Sequence, residues 1–152
     1  MSGVMRAEIE GYAALFGEPD LSGDVIGKGA FSQQLIPAHR PPVRMLYQHK
    51  AECPIGVWNE IREDHRGLLV RGAIFLDSAR GSEVHGLLHG GAIDGLSIGF
   101  KPKRSFRRKG GRLITEAELW EVSIVTFPMA PAARVTRVGG PGEHLPRNLL
   151  SA

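Results

Sequence analysis

The chain has 152 residues, 42% of them apolar, which suits one ordinary domain with a real core and excludes a disordered chain. One cysteine, Cys53, rules out an intrachain disulfide and fits a reducing compartment, and no apolar run approaches the ~20 residues of a membrane helix. Nineteen Lys and Arg against 16 Asp and Glu give a formal charge of +3, too little by itself to indicate nucleic acid as a partner.

The 20 glycines, dispersed among short apolar runs, favour strands and tight turns over long helices. The N-terminal MSGVMRAEIEGYAALFG has no continuous apolar stretch after its basic residue and carries Glu8 and Glu10, so it does not read as a signal peptide. Arg6–Phe16 alternates weakly and predicts a first strand, followed by a turn at GEPDLSGD. Phe31 and Leu35 have helical spacing, which predicts a short helix ended by Pro37. After Pro41-Pro42, VRMLYQH alternates, so Val43, Met45, Tyr47 and His49 are expected on one strand face, with His49 at its end.

IGVWNEIRED and GLLVRGAIFLD predict paired strands joined around Asp64–Gly67. Ser78–His89 is the best helix: Asp77 or Ser78 can cap it, Val84, Leu87 and Leu88 form its stripe, and Gly90-Gly91 stop it. Two further strands, GLSIGFKP and ITEAELWEVSIVTF, flank a basic turn at KGGR. From Gly139 onward the chain is Gly/Pro-rich and is expected to be a flexible tail (139–152) after a main domain (1–138). Seven or so strands with one good helix predict a small barrel or tightly curled sheet.

Ser97 in GLSIGF shares a strand face with Gly95 and Gly99, leaving its hydroxyl uncrowded along the strand. That suits a nucleophile approached by an extended peptide, and equally a small polar residue on a half-exposed strand. His49 has the pKa of a general base, or is a strand-end histidine in water. Glu118 and Glu121, three apart in AELWEVSIVTF, face opposite sides of a regular strand, with Trp120, Val122 and Ile124 beside Glu118 and Ser123 beside Glu121. A carboxylate in so apolar a run needs a partner, either a histidine to orient or an arginine to pair. His85 and His89 have two-ligand spacing on the helix but lack a third ligand, so no metal is indicated. Cys53 reads as a packed thiol. The cations Lys101, Lys103, Arg104, Arg107, Arg108, Lys109 and Arg112 could bind phosphates or an acidic partner, or simply solvate a hairpin.

Five segments together resemble the prohead proteases of tailed phages: EGYAALFGEPDLSGDVIGKGAF, MLYQHKAECPIGVWNEIRED, GLLVRGAIFLDSARGSEVHGLL, GAIDGLSIGF and LWEVSIVTFPMAPAARV. That family is related to the herpesvirus maturation proteases, so the resemblance implies an α+β, β-rich fold: a barrel of about seven strands with one or two flanking helices. It implies a serine endopeptidase whose histidine carries over to His49 in LYQH and whose nucleophile carries over to Ser97 in GLSIG. The relatives' third member, a second histidine, falls where this chain has LWEVS, which makes Glu121 the candidate and Glu118 the reserve; Pro128–Ala133 is the stretch for an oxyanion donor. No metal or organic cofactor is implied. The implied substrate is scaffold, the scaffolding arm of the major capsid protein, or the protease itself. The implied place is the assembling procapsid in host cytoplasm, with a homodimer open and neither a membrane nor nucleic acid as partner. Two other readings compete: a catalytically silent assembly module on the same barrel, and a nucleic-acid-binding barrel using the basic hairpin.

Overall fold

The computed structural model describes residues 3–35 and 42–147. In chain order the elements are β1 (Arg6–Leu15), β2 (Val25–Ile26), β3 (Arg44–Tyr47), β4 (Lys50–Glu63), β5 (Gly67–Phe75), α1 (Ala79–His89), β6 (Gly95–Arg108), β7 (Gly111–Val125) and β8 (Val135–Val138). Among the described residues all eight strands belong to one sheet, with path β2-β7-β3-β4-β5-β1-β8 and β6 attached to β7. Most neighbours are antiparallel, but β2 and β3 both run parallel to β7.

β5 is the spine of the sheet. Its sequence GLLVRGAIF is buried from Gly67 to Ile74, as a near-continuous apolar strand must be when both faces are covered. Ile9, Leu68, Val70, Ile74, Leu96, Val122 and Ile124 are fully buried around it. Helix α1 packs over β4 and β5 through Val84 and Leu88. Its start is fixed by Ser78, whose side chain accepts from the Gly81 N–H, and Gly90 ends it, with Gly91 following at φ 78°.

Two expectations need correction. Among the described residues the ladders do not close into a barrel: an isolated bridge, Gly95↔Arg134, links the start of β6 to the segment before β8, and the sheet is open. The helix around Phe31 and Leu35 is replaced by turns, with a single i→i−4 bond from Leu35 N–H to Phe31 O. The Glu63 carboxylate accepts from the Gly29 and Phe31 N–H groups at 2.8 and 2.9 Å and so fixes where these turns begin. Pro37 and Pro41 lie outside the described residues, as do 148–152.

The stretch expected to be loose from Gly139 is, as far as Arg147, held down. Gly139 N–H donates to Glu8 O and Gly142 N–H to Arg6 O. The half-buried Arg71 guanidinium donates to the carbonyls of Leu145 and Pro146, and Leu145 N–H donates to the Glu8 carboxylate. Gly/Pro composition signals the lack of a helix or strand; it carries no signal for such main-chain bonds.

Candidate active site

The β6–β7 register builds one end of the sheet residue by residue. Ser97 stands opposite Ser123, and Gly99 opposite Glu121. Directly opposed residues project from the same sheet face, so Ser97, Ser123 and Glu121 share one side. Beyond Glu121 the register slips: Phe100 faces Leu119, which leaves Trp120 as an extra residue in a β-bulge. The bulge breaks the alternation expected for this strand. Trp120 is 55% exposed, whereas Val122, expected beside it on the same face, is fully buried.

His49 arrives from β3, though not as the last residue of a strand. The strand ends at Tyr47, and Gln48 and His49 form a two-residue turn with φ of 55° and 59°, closed by the Tyr47↔Lys50 pair. Left-handed geometry costs a non-glycine residue roughly 1–2 kcal/mol and survives only where surroundings impose it. Here β7 imposes it. Gln48 N–H donates to Ile124 O, and the Gln48 side-chain amide exchanges bonds with Thr126 at 2.8 and 3.3 Å. His49 N–H donates to Ser123 Oγ at 3.0 Å.

The imidazole completes a closed ring of hydrogen bonds. His49 Nδ1 lies 2.6 Å from Glu121 Oε2, while Ser123 Oγ donates to Glu121 Oε1 at 2.7 Å. A carboxylate can only accept, so the proton sits on Nδ1 and leaves the Nε2 lone pair free. The Glu121 hydrogen bond raises the His49 pKa above its ordinary 6.5, against partial desolvation and with help from the carboxylate charge. Ser123 is wholly buried and has both its proton and a lone pair committed, so it is closed to a substrate. Nothing in the one-dimensional pattern marked it except its even spacing from Glu121.

Ser97 is 6% exposed and borders a small cleft with apolar walls that include Leu15, Ile26 and Phe100, and also lined by Glu18, Asp20 and Asp24. Among the described residues Ser97 Oγ and His49 Nε2 make no hydrogen bond; the register alone places them at the same end of the sheet. The glycines beside Ser97 are explained differently from the expectation. A Cβ at Gly99 would collide with Glu121 Oε2, and one at Gly95 would lie 2.7 Å from Val125 O. These two glycines therefore make room for the protein's own carboxylate and backbone.

The other candidates fall elsewhere. Glu118 accepts from Trp120 Nε1 and pairs with Lys103 at 3.2 Å, interactions that pull its pKa down and leave it a surface group away from His49. His85 Nε2 lies 2.9 Å from Gly139 O, and among the described residues no three His, Cys, Asp or Glu gather as a metal would need. Of the Pro128–Ala133 stretch, Met129 and Ala130 border the cleft, while Ala133 N–H is committed to Ala130 O. Among the described residues no helix is long and apolar enough to cross a membrane.

The fold has solved counterparts. A KSHV protease in complex with a hexapeptide phosphonate inhibitor aligns with a TM-score of 0.62 at 14% identity, covering 89% of this chain and 65% of that one. A Kaposi's sarcoma herpesvirus protease in complex with an allosteric inhibitor aligns at 0.55 and 13% identity, covering 88% and 77%. At such identities the likeness is one of fold: the β-rich sheet of this chain, with its one helix among the described residues, is similar to the herpesvirus protease fold. In sequence, the prohead protease of Enterobacteria phage HK97 is 34% identical over 123 residues, 78% of this chain but only 54% of that protein, so the chain spans about half the length of this relative. Residues 3–145 match the model of the caudovirus prohead serine proteases, and the chain belongs to that family.

Proposed function

We propose that the chain is a serine endopeptidase of phage head maturation, which cleaves scaffold or the scaffolding segment of the major capsid protein within the assembling procapsid. The observation that carries this reading is the 2.6 Å contact of His49 Nδ1 with Glu121, made from a strained turn pinned beside the strand that faces Ser97. In this reading Ser97 Oγ attacks the peptide carbonyl as His49 Nε2 takes its proton. The tetrahedral intermediate collapses when His49 returns that proton to the leaving amine. Water, deprotonated by the same nitrogen, then hydrolyses the acyl-enzyme and restores Ser97. Glu121 holds the tautomer and stabilises the imidazolium, and Ser123 orients Glu121 through its second oxygen. Contacts with Nε2 are expected to tighten once substrate is bound, as catalytic hydrogen bonds often do. Activity by dimerisation fits the same reading.

The decisive test is the intact mass of wild type and Ser97→Ala, each incubated alone and with the cognate capsid precursor. New fragments with wild type only are expected. Fragments from both proteins would place the nucleophile elsewhere. A fluorophosphonate that labels neither Ser97 nor any other serine, with no fragments from either protein, would favour a silent assembly module.

A further inference from the structure

The β6–β7 hairpin holds more positive charge than the whole protein. Residues 101–118 contain seven cations and two carboxylates, and the rest of the chain has twelve cations against fourteen carboxylates. The excess is concentrated on an arm whose β6 side is almost wholly exposed from Lys101 to Lys109. Two of the cations are neutralised in place: Lys103 by Glu118 at 3.2 Å and Arg112 by Asp24 at 2.7 Å. Among the described residues Arg104, Arg107, Arg108 and Lys109 make no ion pair, and Arg107 stands directly opposite Arg112, a pairing of like charges that destabilises a ladder.

The same strand has an open edge. Near its start Leu96 N–H bonds Ala133 O, but among the described residues β6 pairs along its length only with β7. Charges on an edge strand commonly serve to prevent strand addition. Four uncompensated cations around Phe106, itself 55% exposed, go beyond that. Planar guanidinium groups suit carboxylates in bidentate geometry, and an open edge suits an extended polypeptide, which has backbone groups to pair with it. A nucleic acid lacks such groups and would find a single aromatic side chain on this arm to stack on.

We infer that the outer edge of β6 from Lys101 to Lys109 docks an acidic, extended stretch of polypeptide. Resting on the proposed protease function, this stretch belongs to the substrate. Lys101 and Lys109 are four and twelve residues beyond Ser97, roughly 13 and 40 Å at the ~3.3 Å rise of a strand. The acidic stretch therefore lies several residues from the scissile bond, clear of Glu18 and Asp20 at the cleft, which would repel it if it lay closer.

The test uses Ser97→Ala, so that docking is read whether or not cleavage occurs. Fluorescence anisotropy compares a β-forming peptide of alternating Glu and Val, its Gln counterpart, and single-stranded and duplex DNA at low salt. The acidic peptide is expected to bind at least about tenfold more tightly than the Gln peptide. That preference should vanish when Arg104, Arg107, Arg108 and Lys109 are all changed to Gln. Amide exchange on the chain with its arm intact should slow along 101–108 when peptide binds. Equal binding of the two peptides, retention of the preference in the quadruple variant, or no change in exchange along the arm would overturn the inference. DNA binding more tightly than the acidic peptide would assign the arm to nucleic acid instead. Absence of cleavage by wild type, with docking intact, would instead count against the protease reading alone.

Discussion

The two halves of the β6–β7 hairpin are built from the same two strands yet on opposite principles. At the Ser97 end the groups that hold His49 are committed: Glu121 uses both oxygens, Ser123 donates and accepts, and Gly99 is kept bare to make room. Past the bulge at Trp120 the β6 side chains stand in water with few partners. Chemistry requires groups held to within a fraction of an ångström, which over-determination provides. Recognition of a flexible chain tolerates looseness and draws on charge and an open edge. One ladder can supply both because the bulge separates them.

The sharpest way to break this contrast is at Glu121. Glu121→Gln should lower cleavage by on the order of 10³-fold or more, since the amide can no longer favour the imidazolium. In wild type the acid limb of kcat/KM should lie above pH 6.5, because the Glu121 hydrogen bond raises the His49 pKa and the base must be neutral. In the variant that limb should move down. Unchanged cleavage by Glu121→Gln would return the third role to Glu118 or to none.

Gly99→Ala comes next. Its methyl displaces the carboxylate, so cleavage should fall about 10²-fold and stability by about 1–3 kcal/mol, read by denaturant titration. Wild-type activity there would mean that Glu121 need not be where the structure has it. Ser123→Ala leaves the His49 N–H without its partner, at a cost of about 1–3 kcal/mol. It should lower kcat at nearly constant KM, while Ser123→Thr recovers part of the loss; a purely packing role would show no such split.

The His49–Glu121 pair also links stability to pH. A raised folded-state pKa means that its contribution is fully present below about 6.5 and is lost as pH rises through the raised value. The stability gap between wild type and Glu121→Gln should therefore narrow from pH 6 toward pH 8.5, and a gap that widens would contradict the assigned shift. Smallest of all is the arm: single Arg→Gln changes at 104, 107 or 108 should alter stability by no more than about 0.5 kcal/mol.

Much of the fold could be read from local signals. Ser78 before an amphipathic run, Gly90-Gly91 after it, Asp64–Gly67 between two apolar strands and Lys109-Gly110 between two others each act within a few residues, and the structure uses all of them. What escaped depends on contacts distant in sequence. Gln-His has none of the Asn-Gly character of a left-handed turn, so only β7, more than seventy residues on, makes that turn form. The bulge at Trp120 is invisible to a period-2 reading, which assumes an unbroken ladder. Phe31 and Leu35 keep their helical spacing, but two apolar residues one turn apart do not fix a helix, and among the described residues this stretch stays in turns held to Glu63.

The left-handed turn at Gln48–His49 also makes this position informative about history. It is held against its own conformational preference, so a lineage that no longer needed the imidazole would gain stability by drifting to Asn-Gly there. Residues that cost stability persist only under selection for what they do. Among relatives with this fold, a non-glycine pair ending in histidine at this turn would mark chains still selected for chemistry, and a relaxed turn would mark those kept only for assembly.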